Sequence, residues 1–248
     1  MFRHHGKGRT YLHNLKLASL LSCVAGIVNI TGVLSLGTLT TNVTGHFAFF
    51  SESFFLKDYR MACIYLIYTL LFLLGAFVSN TLLELALKYR PDTSYMFPIA
   101  LEIGVLFLVA CSNLLGFNHW AMSSVILSCA LLFAMGLQNA LVTTVSRSVV
   151  RTTHLTGLFT DLGIELSQLF FYKGPAERKK LHKAISLKGA IIGCFFSGGL
   201  IGGFTFLLIG QITLFIPIGI LFFSLWYDRL LLRFYHVKRK LRHHPAHK

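Results

Sequence analysis

The sequence predicts an all-α membrane protein with six transmembrane helices, arranged as two inverted repeats of three spans each. Three observations lead to this fold class. The 248 residues are 54% hydrophobic and 13% charged, with a mean hydropathy of +0.66, which is too apolar for an ordinary soluble domain. The apolar residues fall in runs of about 20, the helix length that crosses a bilayer core about 30 Å thick. A polar pentad that occurs twice, as TNVTG and THLTG, predicts the repeat.

The apolar runs can be placed in order along the chain. The predicted spans are Leu17–Gly37, Met61–Leu83, Ser94–Leu115, Trp120–Val145, Gly189–Ile209 and Ile212–Trp226. The first is too long for the apolar core of a signal peptide and lacks a small-residue cleavage site, so we expect it to remain as a span. The chain then divides into a basic amino-terminal segment (1–16), a first repeat (17–115), a second repeat (116–228) and a basic tail (229–248).

The positions of the basic residues predict the orientation. If the amino terminus is cytoplasmic, all but two of the 23 Lys and Arg side chains lie on the cytoplasmic side, and Lys57 and Arg60 lie outside. Cytoplasmic loops of membrane proteins carry such an excess of positive charge. We therefore expect both termini in the cytoplasm, and we expect their basic residues to contact anionic lipid headgroups rather than nucleic acid.

The two pentads fall at equivalent places with opposite sidedness. Thr41–Gly45 follows the outer end of the first span, and Thr153–Gly157 follows the inner end of the fourth. An asparagine precedes each pentad by a similar distance, Asn29 in the first span and Asn139 in the fourth. Because a motif that recurs at opposite ends of the membrane is typical of inverted repeats, we expect each half to contain three spans.

The same residues resemble a known family. Four stretches are similar to motifs of the YoaK-like family of small bacterial inner-membrane proteins: Gly26–Asn29, Thr44–Gly45, Gly136–Ala140 and Thr152–Gly157. The resemblance covers about residues 17–227 and implies a six-span protein of the bacterial inner membrane, with no assigned biochemical activity. Asn29 stands where the family usually has Asp, and His46 stands where it usually has Asn. The resemblance therefore does not imply a role for Asn29 that needs a negative charge.

The segments around the pentads are rich in Thr, Ser and Gly and are not typical of lipid-facing helices. Irregular backbone at membrane depth is tolerated only where protein or a water-lined cavity satisfies its polar groups. Thr44 and Thr156 suit N-cap positions of two short re-entrant or interfacial helices, Gly45–Phe55 and Gly157–Phe171. Their N-termini would offer partial positive charge to an anion or polar ligand. Close helix packing with a surface turn is the alternative.

Polar side chains within the apolar segments supply the candidate site. The predicted solute-binding residues are Asn29, Thr44, Gly45, His46, Glu102, Gln138, Asn139, Thr156 and Gly157. Glu102 is the strongest candidate because intramembrane ionisable residues usually face the bundle interior, although hydrogen bonding to Asn29 or Asn139 would give it a structural role instead. For His46 and His154, which flank the pentads, a surface position is the simpler expectation.

Acidic residues after the second pentad form a further candidate site. Asp161 and Glu165 are four residues apart and share one face of a helix. Together with Glu102 they could couple transport to a cation or proton. Alternatively, they could form ion pairs with Arg147, Arg151 or Lys173.

These features favour a secondary transporter or facilitator of a small polar or anionic solute, with a channel or a non-transporting scaffold or sensor as alternatives. The chain has no H-E-x-x-H, G-x-S-x-G, P-loop or dinucleotide-binding pattern, so we expect no enzymatic activity, cofactor or metal. Small residues at Gly198–Gly199 and Gly202–Gly203 predict a close-packing surface for a homodimer or for the seam between the repeats.

Overall fold

The computed structural model describes residues 11–89, 95–112, 123–146, 148 and 150–226. The regular secondary structure of these residues is all helical, without strands, which confirms the predicted all-α class. The predicted basic tail and most of the basic amino-terminal segment lie outside the described residues. The helices are α1 (Tyr11–Leu36), α2 (Val43–Phe55), α3 (Tyr59–Tyr89), α4 (Met96–Ala110), α5 (Ser123–Ser146), α6 (Leu155–Phe171) and α7 (Pro175–Ile209), followed by a 3₁₀ turn (Gly210–Leu214) and helical residues 215–226.

Four helical stretches in the described ranges are long and apolar enough to cross a membrane. They are Asn14–Leu36, Tyr59–Tyr89, Ser123–Ser146 and Pro175–Trp226. The chain is therefore a helical protein of the membrane type. The predicted third span is represented by α4, which is apolar but only 15 residues long. The predicted fifth and sixth spans fall within the last stretch of 52 residues.

Glycines with left-handed backbone end two of the long helices. Gly37 follows α1 with φ of +66°, and Gly210 follows α7 with φ of +62°. Glycine adopts this conformation without the steric cost that a Cβ imposes. After Gly210, the 3₁₀ turn is held against the end of α4, where the Ser112 hydroxyl donates to Gln211 Oε1 at 3.0 Å.

Helix α1 packs backbone to backbone on α7. A Cβ at Gly26 would lie 2.1 Å from the carbonyl oxygen of Phe195, and a Cβ at Gly198 would lie 2.3 Å from that of Cys23. Further along both helices, Gly202 lies against Ile27. Because later residues of α7 meet later residues of α1, the two helices run parallel. The predicted glycine surface thus lies in the α1–α7 seam.

Helix α3 packs on α5 through an equivalent pair of glycines. A Cβ at Gly75 would lie 2.1 Å from the Phe133 carbonyl oxygen, and a Cβ at Gly136 would lie 2.2 Å from that of Phe72. Further along both helices, the Thr144 hydroxyl donates to Asn80 Oδ1 at 3.4 Å. The order of these contacts shows that α3 and α5 also run parallel.

By contrast, α1 and α5 run antiparallel where they contact each other. Early in α1, the Leu21 carbonyl accepts from Gln138 Nε2, which lies late in α5, at 2.9 Å. Beyond the other end of α1, the hydroxyls of Thr38 and Ser128 are 2.8 Å apart, and Ser128 lies early in α5. The direction of α5 is thus opposite to that of α1.

Two segments of the first half have the same pattern of side-chain burial as two segments of the second half. Residues 17–34 and 127–144 follow an identical order of buried, half-buried and exposed positions, and so do residues 40–49 and 152–161. The first two segments are 110 residues apart and the second two 112, which are the separations of the repeated asparagines and pentads. These segments therefore share their order of packing environments as well as the repeated residues.

Candidate functional site

Both pentads contribute to one cavity of about 520 Å³. Its walls come from α1, α3, α5, α7 and the segments that lead into α2 and α6, and its volume is typical of a small-molecule site. The lining residues are Asn29, Leu39, Thr41, Asn42, Val43, Thr44, Phe72, Asn139, Thr143, Arg151, Thr153, His154, Leu155, Thr156 and Phe195.

All lining residues except Thr143 form pairs between the two halves. The pairs are Asn29 with Asn139, Leu39 with Arg151, Thr41 with Thr153, Asn42 with His154, Val43 with Leu155, Thr44 with Thr156, and Phe72 with Phe195. The two phenylalanines each lie three residues before a seam glycine, Gly75 or Gly198. Each half thus contributes one residue of each pair to the cavity wall.

Asn29 holds the irregular segment after α1 in place. Its Oδ1 accepts from the backbone N–H of Thr40 at 3.1 Å, the N–H of Thr41 at 3.3 Å and the hydroxyl of Thr41 at 3.0 Å. These bonds satisfy backbone donors that no helix would satisfy at this point in the chain. The asparagine therefore has a structural role in forming the cavity wall.

Asn139 makes the equivalent contact in the second half. Its Oδ1 accepts from the Thr153 hydroxyl at 3.0 Å, and its backbone carbonyl accepts from the Thr143 hydroxyl at 2.7 Å. The Thr41–Asn29 bond and the Thr153–Asn139 bond join the same paired positions. Each asparagine side chain thus fixes the pentad of its own half.

The two short helices begin differently from the prediction. Thr44 and Thr156 are not their N-caps, because α2 begins at Val43 with Asn42 as the N-cap, and α6 begins at Leu155 with His154 in that position. The Asn42 amide oxygen reaches the N–H of Gly45 at 3.0 Å, which is the bond an N-cap asparagine makes. The predicted ends at Phe55 and Phe171 are correct.

The first turns of the two helices also differ from each other. The Thr44 hydroxyl donates to Asn42 Oδ1 at 2.7 Å, whereas His154 makes no side-chain cap bond. The His154 ring instead lies against Gly157, where a Cβ would be 2.5 Å from Cε1. Gly45 and Gly157 thus lie in the first helical turns and are not among the lining residues.

His46 is buried rather than on the surface. It is 1% exposed, its Nε2 lies 2.7 Å from the Leu39 carbonyl oxygen, and its ring contacts those of Tyr65 and Tyr68. Burial lowers the pKa of His46 more than the bond to Leu39 raises it. The surface position expected for His46 is therefore wrong. Leu158, the residue paired with His46, is buried as well. His154 is exposed and lines the cavity.

Glu102 and Gln138 lie in the protein interior and are not among the lining residues. Glu102 is 1% exposed, and its Oε1 has no hydrogen-bond partner among the described residues. Its expected partners, Asn29 and Asn139, accept from pentad threonines instead. Gln138 is fully buried and bonds to α1. The cavity thus brings together the asparagines and threonines of the predicted site, without Glu102, Gln138 or His46.

Asp161 and Glu165 form ion pairs, but with a residue the sequence did not single out. Lys188 Nζ contacts Glu165 Oε1 and lies 3.8 Å from Asp161 Oδ2, which joins α6 to α7. Arg151 and Lys173 were two of the possible partners, and neither pairs with these acids in the described part of the chain. Arg147, the third, lies outside the described residues. Lys188 precedes the apolar part of α7 and reaches back to α6.

Sequence reasoning did not place in the site five residues of the cavity wall that lie outside the pentads: Leu39, Phe72, Thr143, Arg151 and Phe195. The separation of 112 residues already pairs Arg151 with Leu39, so extending the pentad alignment by two residues on its amino-terminal side would have found it. The phenylalanines were missed because their separation of 123 residues differs from that of the pentads.

A family of proteins of unknown function, DUF1275, matches residues 17–227. The chain belongs to this family. The match covers both halves and every residue of the cavity wall. Among curated proteins and among solved structures, none matches the chain. The YoaK-like name and the bacterial origin stay predictions, and the family supports a helical membrane protein whose activity is open.

Proposed function

We propose that the protein is a secondary transporter or facilitator of a small polar or anionic solute, which binds in the cavity between two inverted three-span repeats. One observation carries the proposal: pentads that are 112 residues apart in sequence line a single cavity. In transporters built from inverted repeats, the substrate site lies where the repeats meet and is formed by discontinuous helices. We interpret α1 with α2, and α5 with α6, as two such discontinuous helices.

The helix directions support the inverted arrangement of six spans. In such an arrangement α1 and α5 are equivalent and antiparallel, whereas α1 with α7 and α3 with α5 run parallel, as their contacts indicate. A straight helix over the last 52-residue stretch would be about 78 Å long, more than twice the bilayer core. We therefore count it as two spans that are separated at Gly210, and we count α4 as the third span.

The charge distribution supports an orientation with both termini in the cytoplasm. Only Lys57 and Arg60, which lie between α2 and the first turn of α3, fall on the opposite side. We propose the inner membrane of a bacterium as the location, from the resemblance to the YoaK-like family. The pentad after α1 then lies toward the outside and the pentad after α5 toward the cytoplasm.

Access to the cavity would alternate by rocking of two helix pairs. The glycines of each seam bring α1 against α7 and α3 against α5, so each pair can move as a unit. One helix of each pair carries a lining phenylalanine, Phe195 on α7 and Phe72 on α3. A relative rotation of the two pairs would open the cavity first to one side and then to the other.

Glu102 is the proposed proton-coupling group. It is a buried carboxyl group in α4, and one of its oxygens has no partner in the described part of the chain. Intramembrane carboxyl groups of this kind commonly serve as proton relays. Asp161 and Glu165 are weaker candidates because Lys188 pairs with both.

The test begins with a thermal-shift screen that finds a stabilising solute, followed by uptake of that solute into proteoliposomes. A carrier gives saturable uptake and counterflow, whereas a channel gives flux that rises linearly with concentration. We expect Thr44→Val and Thr156→Val each to reduce uptake at least about tenfold, because both threonines line the cavity. Thr81→Val is the matched control, since that hydroxyl is exposed and donates only to Phe77 of its own helix.

Full uptake by both cavity variants would contradict the proposed site, and a chain that binds and moves no solute would favour the scaffold. Glu102→Gln tests the coupling role separately. We expect it to abolish uptake or remove its pH dependence while the protein still inserts and purifies. An unchanged pH profile would exclude Glu102 from coupling.

A further inference from the structure

The two halves of the cavity differ in charge. Five of the seven lining pairs join residues of the same kind, and two do not: Leu39 is paired with Arg151, and Asn42 with His154. The fixed positive charge of the wall therefore lies in the second half only. None of the lining residues is acidic.

Arg151 has no counter-charge in the described part of the chain. The acidic residues that follow it on α6, Asp161 and Glu165, face Lys188 instead. A guanidinium group stays protonated at any pH the protein meets. Arg151 is exposed at the cavity wall, where its charge attracts an anion. The cavity thus favours an anion over a cation or a neutral solute.

The size and the other walls of the cavity restrict the anion further. A halide or a phosphate would leave most of a space of about 520 Å³ to water. Phe72 and Phe195 supply apolar surface from opposite halves, and Thr41 and Asn42 supply hydrogen-bonding groups from the first half. The planar fork of an arginine binds a carboxylate through two parallel hydrogen bonds.

We propose that the solute is a small organic anion, whose carboxylate pairs with Arg151 and whose body lies against Phe72 and Phe195. This inference rests on the proposed function, because it names the substrate class of the same cavity. The asymmetry between Leu39 and Arg151 then sets the orientation of the bound solute, with its charged end toward the second half.

Equilibrium binding to the detergent-solubilised full chain tests the solute class. The probes are sodium chloride, phosphate, acetate, succinate and benzoate at equal ionic strength, with acetamide and benzamide as neutral analogues. We expect at least one carboxylate to raise the melting temperature and the amides to leave it unchanged. Arg151→Gln should weaken that carboxylate's binding at least tenfold, and Arg151→Lys should weaken it less. Lys179→Gln, an exposed α7 residue outside this cavity, should bind as the wild type does.

A charge transplant keeps the test informative if Arg151→Gln purifies poorly. In the double variant Arg151→Leu with Leu39→Arg, the charge moves to the paired position on the opposite wall. Because Leu39 and Arg151 occupy paired positions in the cavity wall, we expect carboxylate binding to return in part. Failure of the transplant to bind any carboxylate would contradict the equivalence of the two positions and overturn the inference.

The outcomes separate this inference from the transport proposal. Three results would overturn the organic-anion class. None of the three carboxylates raises the melting temperature, the rise survives Arg151→Gln, or chloride raises the melting temperature equally. A shift with an amide that survives Arg151→Gln would do the same and leave a carrier of neutral solutes possible. Carboxylate binding that depends on Arg151, without uptake into proteoliposomes, would support the solute class and overturn transport.

Discussion

The two short helices dock on their neighbours at equivalent positions with different chemistry. On α2, the Phe49 ring lies 5.3 Å from the ring of Tyr65 on α3. On α6, the paired residue is Asp161, which lies 3.8 Å from Lys188 on α7. Phe49 and Asp161 are 112 residues apart, and Tyr65 and Lys188 are 123 apart, the separations found for the pentads and the seam glycines. An aromatic contact in one half thus corresponds to an ion pair in the other.

This difference shows which parts of the repeat are interchangeable. The glycine seams and the asparagine–threonine bonds occur in both halves. The seams need a residue without a Cβ, and the Asn29 side chain also satisfies backbone N–H groups that no helix satisfies. The docking contact needs only complementary side chains, so either an aromatic pair or an ion pair can provide it. The shared features should therefore affect stability most when changed, and the divergent ones least.

The largest effect is expected at the seam glycines. Gly26→Ala and Gly136→Ala each place a Cβ about 2 Å from a backbone carbonyl oxygen of the facing helix, a distance that requires the helices to separate. Overpacking of this kind costs about 1–3 kcal/mol, and more where backbone must move. Thermal unfolding in detergent should show a similar loss for both variants, because the two seams are equivalent.

Gly104→Ala provides the control for the seam variants. A Cβ at Gly104 meets nothing within 4 Å in the described residues, so this variant should unfold as the wild type does or at a slightly higher temperature. If Gly26→Ala were destabilising and Gly136→Ala were not, the two seams would not be equivalent in energy, and the repeat would extend only to the pattern of contacts.

Replacing the two asparagines should lower stability less than replacing the seam glycines, and by unequal amounts in the two halves. Asn29→Ala leaves the backbone N–H groups of Thr40 and Thr41 without their acceptor. Thr41 lines the cavity and only Thr40 is fully buried, so the cost should be about that of one unsatisfied buried group, about 1–3 kcal/mol. Asn139→Ala removes the acceptor of one hydroxyl, Thr153, and should cost about 1 kcal/mol. Asn29→Asp should be tolerated, because the Oδ1 atom acts only as an acceptor in these bonds.

Melting temperatures of the three variants in the same detergent give the comparison. Asn80→Ala serves as the control, since Asn80 is exposed and accepts only one long bond, from Thr144 at 3.4 Å. Equal losses for Asn29→Ala and Asn139→Ala would mean that the backbone donors after α1 find water or another acceptor when Asn29 is removed.

The sequence predicted the parts of this fold that depend on periodic burial and on short repeats. Apolar runs locate α1, α3 and α5 to within a few residues, except that α1 begins six residues before its predicted start and α3 continues six residues beyond its predicted end. The two pentads predict the cavity because polar backbone breaks in a membrane protein must face protein or water. Asn29 and Asn139 were placed in the site for the same reason, and both line it.

The sequence could not locate features that depend on which helices pack together. Thr44 and Thr156 have side chains suited to an N-cap, yet Asn42 takes that position in α2, because helix starts shift by one or two residues with local hydrogen bonding. The prediction that placed Glu102 in the solute site considered its charge but not its neighbours on α4. The pairing of Asp161 and Glu165 with Lys188 requires α6 to fold back on α7, which no local pattern indicates.

The smallest effect is expected where the two short helices dock. The ion pair that holds α6 to α7 should weaken as salt rises, because the Debye length falls from about 10 Å at 0.1 M to about 3 Å at 1 M. The aromatic contact that holds α2 to α3 has no such dependence. We expect amide hydrogen exchange in α6 to become about two- to fivefold faster at 1 M salt, the range that a partly exposed ion pair allows, with α2 unchanged.

Lys188→Gln distinguishes this ion pair from other effects of salt. The variant removes the charge that both Asp161 and Glu165 face, so α6 should exchange faster at low salt and no longer respond when salt is added. Exchange in α2 should be the same in the variant and the wild type at every salt concentration. A salt response of α6 that persists in Lys188→Gln would show that another contact docks the helix. An equal salt response of α2 and α6 in the wild type would show that the chemical difference between the two docking sites has no effect on their stability.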